Sequence, residues 1–220
     1  MGPFKETETL DFQGPAGRVE AILNLPPEGV SPTAAAVICH AHPLHGGMMH
    51  FKVIFRAAKA LQAQGLAVLR FNFRGVGRSQ GTHDRGIGEQ DDARAALSEM
   101  ELRLPGLPLL LGGFSFGSAM AAKVALTDTR VKAVLMIGFP ITRVDSTADL
   151  SRIRQPRQFV QGGEDEFGPG PAIRRLVGSL PEPKRLDIIE GADHFFTGRL
   201  DELQAPIEDW AATKPWEDRG

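Results

Sequence analysis

The chain alternates between short, almost continuously apolar runs and longer stretches in which apolar residues recur at helical spacing. Residues 19–25, 35–40, 66–71, 107–112, 131–137, 158–161 and 185–189 read as strands. Several of these runs carry almost no polar position, which suits strands covered on both faces in a parallel sheet. Between them, residues 51–64 place Val53, Ile54, Ala57, Ala58 and Leu61 on one helical face, and Gly65 supplies a stop. Residues 88–103 open with Glu89, Asp91 and Asp92, acids that favour a helix N-terminus. Residues 115–126, rich in Ala and Met, predict a further helix. The alternation predicts a mostly parallel, doubly wound α/β sheet with an antiparallel edge near Val19. In such sheets functional groups sit on loops beyond the carboxyl ends of the strands.

Composition narrows the class. A length of 220 residues suits one domain spanning residues 1–220, and 42% apolar content is enough for a core. A net charge of -2 with scattered basic residues argues against nucleic acid or an acidic membrane as partner. The start, Met1-Gly-Pro-Phe-Lys-Glu, lacks the apolar run of a secretion signal, and no apolar stretch is long enough to span a membrane. The single cysteine, Cys39, excludes an internal disulfide and falls in an apolar run, so it reads as a buried core thiol. These features together lead us to expect a cytoplasmic protein.

Directly after the apolar run ending near residue 111 comes Gly112-Gly113-Phe114-Ser115-Phe116-Gly117, followed by a helical pattern. Gly113-x-Ser115-x-Gly117 is the G-x-S-x-G spacing in its strand–turn–helix context. The spacing has a steric reason. A serine on so sharp a turn leaves no room for side chains two residues before or after it, and glycine removes the clash. Chance alone supplies such a motif on the order of 0.1 times in a chain of this composition, so the context carries most of the weight. Ser118, one helical turn on, reads as a packing residue.

A serine hydroxyl needs a histidine to take its proton, and that histidine needs an acid to orient it. Downstream of Ser115 the only histidine is His194, in the loop after the last predicted strand. The acid is sought in Gly162-Gly163-Glu164-Asp165-Glu166, after residues 158–161; Asp165 is the choice, with Glu164 and Glu166 as alternatives. Asp193 cannot easily turn back onto its neighbour's ring. Acyl transfer also requires two N–H donors for the oxyanion. The backbone of Phe116 should supply one. The other should come from His40-Ala-His-Pro-Leu-His-Gly-Gly47, where Pro43 has no N–H, so His42 is preferred and Leu44 stands behind it.

Four histidines, His40, His42, His45 and His50, raise a metal reading. No carboxylate accompanies them, and Cys39 points away from His40 in a strand, so His40 is expected to be structural and no metal is expected. Gly75-x-Gly77 lacks the third glycine of a dinucleotide fingerprint and reads as a loop shaping the site. Arg74 and Arg78, in the same loop, are candidates for holding an anionic substrate group.

Taken together, the 40–47 loop, Arg70-Phe-Asn-Phe-Arg-Gly-Val-Gly77, Gly113-Phe-Ser-Phe-Gly117, the Asp165 loop and Gly191-Ala-Asp-His194 resemble the compact α/β-hydrolases related to dienelactone hydrolase. They resemble in particular a bacterial family of small serine esterases. The likeness runs roughly from Val19 to Trp210. It implies the α/β-hydrolase fold and a cofactor-free hydrolase of esters, lactones or thioesters acting on a small acyl substrate. Two departures stand out: dienelactone hydrolase carries cysteine at the elbow, and relatives often continue the acid loop as Val-Pro where this chain has Phe167-Gly168-Pro169. Many relatives insert a helical cap where this chain has only about twenty residues between 137 and 158, so a minimal cap or none is expected. Other classes stay open, namely an acyltransferase or peptidase with the same triad, or a non-catalytic binding scaffold. Monomer and homodimer are both compatible; Trp216 in the tail from Lys214 to Gly220 is the one hint of association.

Overall fold

A computed structural model describes residues 7–27, 29–144 and 147–217. Eight strands form one sheet: β1 Thr7–Gly14, β2 Gly17–Asn24, β3 Ala34–Cys39, β4 Leu66–Phe71, β5 Leu109–Phe114, β6 Val131–Ile137, β7 Arg157–Gly162 and β8 Lys184–Ile189. Five α-helices accompany them among the described residues: α1 Lys52–Ala63, α2 Gly88–Arg103, α3 Phe116–Ala125, α4 Gly170–Ser179 and α5 Gln204–Ala212. The strand order is β1-β2-β4-β3-β5-β6-β7-β8. β2 runs antiparallel to both β1 and β4, and every pairing from β4 onward is parallel. This is the doubly wound sheet that the apolar runs predict, with its antiparallel edge in the expected place.

Burial explains the pattern. β3, β4, β5 and β7 are buried at every position, because helices cover both faces. α1 and α5 close one core with Ile38, Leu110, Leu135 and Val160; α2, α3 and α4 close the other with Val37, Leu69, Leu111 and Phe159. The structure adds what a search for continuous apolar runs passes over. β1 alternates exposed and buried residues, with Leu10 and Phe12 facing inward, so it shows only one apolar face. α4 and α5 also escape the sequence pattern, and each carries a proline, Pro171 and Pro206, within its first turn. β5 begins two residues later than the apolar run suggests and takes in Gly112, Gly113 and Phe114.

The topology positions the loops. The chain passes from β3 to β4 on one side and then crosses to β5 on the other, so a crevice forms where β3 and β5 lie together. Between β6 and β7 the described residues hold only two short 3-10 turns, Ile141–Arg143 and Ala148–Arg152, in place of a helical cap. No helix among the described residues is long and apolar enough to cross a membrane. Trp216 is buried against the core beside Trp210, and residues 218–220 of the tail lie outside the described residues.

Phe159, wholly buried on β7 with its ring 5.9 Å from that of Phe139, tests this packing. Truncating it to alanine leaves a cavity that the covering helices cannot fill. Phe159→Ala should cost about 3–5 kcal/mol in urea denaturation; a loss under 1 kcal/mol would show that the sheet is not clamped there.

Candidate active site

Ser115 stands between β5 and α3 with φ 54° and ψ -120°, a conformation that a non-glycine residue rarely adopts. The surroundings hold it there. Its N–H donates to the Ile137 carbonyl at 2.9 Å, and its own carbonyl accepts from Ser118 N, Ala119 N and Ser118 Oγ. Ser118 is therefore more than packing, because its hydroxyl helps to anchor the turn. A Cβ on Gly113 would lie 2.3 Å from the Gly117 carbonyl carbon, and one on Gly117 would lie 2.2 Å from the Cys39 carbonyl oxygen. Both contacts are with backbone, so neither glycine can be replaced without moving α3 off the sheet.

His194 follows β8 and is almost fully buried. Its Nε2 lies 2.9 Å from Ser115 Oγ and its Nδ1 lies 2.7 Å from Asp165 Oδ2. With Nδ1–H donating to the carboxylate, the Nε2 lone pair accepts from the serine hydroxyl. Asp165 follows β7. Its Oδ1 accepts from the amides of Phe167 and Gly168 at 2.8 and 3.1 Å, and its Oδ2 accepts from Gln161 Nε2 at 2.7 Å. The Phe167-Gly168 departure thus supplies the amides that hold the carboxylate. Glu164 and Glu166 are exposed and take no part. Asp193 caps the turn instead, accepting from Thr197 N and Phe195 N; the Thr197 amide in particular holds its carboxyl below the usual range.

Two positioning residues escape the sequence reading. Gln161 bridges the loops, donating to Asp165 and to the Gly168 carbonyl while its Oε1 accepts from Phe139 N. It lies in β7, where it reads as one more strand residue. Gly138 has φ +54°, and a Cβ there would lie 2.8 Å from the Phe114 ring and 3.3 Å from His194 Cε1. Its absence of side chain lets the imidazole settle over Phe114, the ring centroids 4.9 Å apart.

The 40–47 loop lies beside the elbow, since β3 pairs with β5. Among the described residues neither His42 N–H nor Phe116 N–H donates to another group, whereas Leu44 N–H donates to His42 Nδ1 at 3.2 Å. The fallback donor is thus engaged, and Leu44 instead presents an exposed side chain. The His42 ring packs 5.0 Å from Phe116 and 4.9 Å from His83, and burial, then His45 and His83, push its pKa below 6.5. His83 in turn lies 2.9 Å from the buried Glu89, at an angle too poor for a hydrogen bond; Glu89 itself accepts from the amides of Asp84 and Gly86.

His40 is fully buried and structural in its contacts. Its Nε2 accepts from Phe73 N at 3.0 Å, and its Nδ1 faces the Ala41 carbonyl at 2.6 Å. Burial lowers its pKa to about 4. His50 is exposed, and no group of three metal-ligating side chains forms among the described residues. Burial also pushes the Cys39 thiol up, out of the range of a reactive thiolate.

The two arginines require a correction. Arg74 grips the fully buried Asp92 of α2 through Nε and NH2 at 2.9 and 2.8 Å, and its amide donates to the same carboxylate. A buried carboxylate demands a cation, so Arg74 is committed to α2, while Arg78, its side chain 56% exposed, pairs with Glu20 and Asp11 and ties the glycine-rich loop to β1 and β2.

Residues 30–210 match the alpha/beta hydrolase domain family. A serine hydrolase homologue from Coxiella burnetii shares 39% identity and a TM-score of 0.86, over 92% of this chain and 96% of that one. A serine hydrolase without lid from Xanthomonas campestris shares 32% identity and a TM-score of 0.86, over 98% and 97%. An uncharacterised protein of Rickettsia prowazekii is 36% identical over 92% of this chain and 87% of its own length.

Removing the Arg74 side chain would leave the buried Asp92 carboxylate with the residue-74 amide but no cation. Arg74→Ala should lose about 3–5 kcal/mol of stability by chemical denaturation; a near-neutral result would free the arginine for a role in binding. His40 sets a pH dependence whose sign follows from its lowered pKa. The unfolded chain takes up a proton near pH 6.5 that the folded chain refuses until about pH 4, so stability falls as pH drops through that window. The wild type should lose roughly 2–3 kcal/mol more than His40→Gln between pH 7 and 4.5. Parallel stability curves for the two proteins would contradict the assignment.

Proposed function

The chain belongs to the alpha/beta hydrolase domain family and is a hydrolase; from that premise we propose that it is a serine esterase that works through an acyl-enzyme on Ser115. The observation that carries this reading is the unbroken hydrogen-bond chain from Ser115 Oγ through the His194 ring to Asp165 Oδ2. Fold alone would not license it, since the same scaffold hosts many chemistries.

In this mechanism Ser115 Oγ attacks the ester carbonyl carbon as its proton passes to His194 Nε2. Asp165, ionised and tied to two amides and Gln161, stabilises the imidazolium and keeps its tautomer. The free amides of His42 and Phe116 donate to the tetrahedral oxyanion. Collapse breaks the carbon–oxygen bond to the leaving group, which takes the proton from His194. Water then attacks the acyl-enzyme, giving its proton to His194, and the acid is released as Ser115 recovers its own.

The walls support a substrate class. Phe114 lies tilted 4.9 Å from the His194 ring, Phe195 meets that ring edge-on at 5.1 Å, and Phe51 lies 5.7 Å from Phe114. Leu44, Met48 and Phe195 present exposed apolar surface. With Arg74 and Arg78 engaged elsewhere and only short turns where a cap would stand, this environment favours small, uncharged carboxylic esters, lactones or thioesters over anionic ones. The relative at 39% identity is a serine hydrolase homologue and the one at 32% a serine hydrolase without lid, which supports the same reading.

Hydrolysis of a short-chain nitrophenyl ester tests it. Ser115→Ala should reduce turnover by ~10⁴–10⁶ while leaving the fold intact. Equal rates in wild type and variant, with no labelling of the wild type by a fluorophosphonate, would remove Ser115 from the chemistry.

A further inference from the structure

At the end of the sheet opposite Ser115, a half-open cleft of about 460 Å³ lies beside the amino ends of β6, β7 and β8. β7 separates the two ends by its own length, about 20 Å. The cleft is walled by Trp210 and Trp216 and by Pro156, Pro183 and Pro215, which gives it flat apolar faces. Lys132, Lys184 and Arg185 also line it, and Glu217 is the one carboxylate among its lining residues.

Arg157 adjoins this space and is fully buried. Its NH1 donates to the Ile153 and Gln155 carbonyls and its NH2 to the Pro181 carbonyl. Its Nε is buried with no partner, and among the described residues no carboxylate forms an ion pair with the guanidinium, Glu182 acting on it only through space. Carbonyl oxygens satisfy donors but do not neutralise a charge, and an unpaired buried cation is costly. Trp216 Nε1 is likewise buried without a partner. Both orphan atoms are donors that cannot accept, so what each lacks is an acceptor.

The other cations divide cleanly. Arg185 is already held by Asp187, and Lys184 caps the Gly178 and Leu180 carbonyls. Lys132 is exposed and has no carboxylate partner among the described residues. We propose that this cleft is a binding site for a small organic carboxylate, separate from the site at Ser115. The carboxylate meets Lys132 and supplies the charge that Arg157 lacks, and the apolar body lies between the tryptophans and prolines. The cleft suits such a ligand better than a polyphosphate, because its lining contains no glycine and so no amide cradle of the kind phosphates use.

The chain itself provides the reporter. It contains two tryptophans and no tyrosine, and both tryptophans line the cleft, so intrinsic emission reads this site alone. Titrating the full chain with sodium benzoate at low ionic strength should give a saturable change in emission. Lys132→Glu, a surface reversal remote from Ser115, should weaken the apparent affinity at least about tenfold and leave ester hydrolysis unchanged. Prior labelling of Ser115 with a fluorophosphonate should leave the titration unaltered. A linear response, or equal affinity in wild type and Lys132→Glu, overturns the site. Saturation by inorganic phosphate but not benzoate overturns the carboxylate assignment, and loss of the signal on labelling Ser115 reassigns it to the other end of the sheet.

Discussion

The arrangement around Ser115 depends on how closely α3 approaches the end of β3. Where Gly117 passes the Cys39 carbonyl there is no space for even a methyl group, and Gly113 meets the same helix from below. That contact holds the serine in a backbone conformation with φ 54°, and the Phe116 ring packs against His42 of the neighbouring loop. It also explains why β3 and β5 must be neighbours, with β4 displaced to the far side. A wider spacing would relax the turn and separate the hydroxyl from the amides beside it. The strain is local; the hydrogen bonds from Ser118, Ala119 and to Ile137 that oppose it are local too.

A second layer of polar contacts fixes the remaining groups. Asp165 is oriented by three donors, of which Gln161 reaches across from the strand and also ties down Phe139. Arg74 and Asp92 perform the same service for the glycine-rich loop, as does Glu89 for the turn at 84–86. Each is a buried charge or amide whose partners come from different loops. Such contacts stabilise one geometry strongly because every alternative leaves a polar group without water or partner.

Much of this was legible in the sequence, for reasons that differ by residue. The G-x-S-x-G spacing reports a steric necessity, so Ser115, Gly113 and Gly117 could be read directly. His194 was identified by chain order, being the only histidine downstream. Asp165 stood among three carboxylates, and what distinguishes it from its neighbours is its burial and its contacts with His194, Gln161 and the amides of Phe167 and Gly168, none of which the sequence displays. Gln161 and Gly138 carry no pattern of their own, because their roles exist only once β6, β7 and the loops converge. Arg74 misled for the opposite reason. A cation in a glycine-rich loop suggests a ligand, yet its partner Asp92 lies eighteen residues on, inside a helix whose first-turn acids read as ordinary dipole partners. In the sheet, the inner strands announced themselves as unbroken apolar runs, while β1, with one wet face, did not.

The order of the strands also grades the three groups by the firmness of their footing. Ser115 rises from β5 in the middle of the sheet, and Asp165 from β7, which has neighbours on both sides. His194 alone follows an edge strand, β8, whose residues are half-buried except for the last. Edge strands open at lower free energy than central ones. The imidazole thus stands on the least stable footing of the three. Warming should therefore cost the esterase activity proposed for Ser115 before the sheet unfolds, since the edge strand carries His194 and the elbow does not.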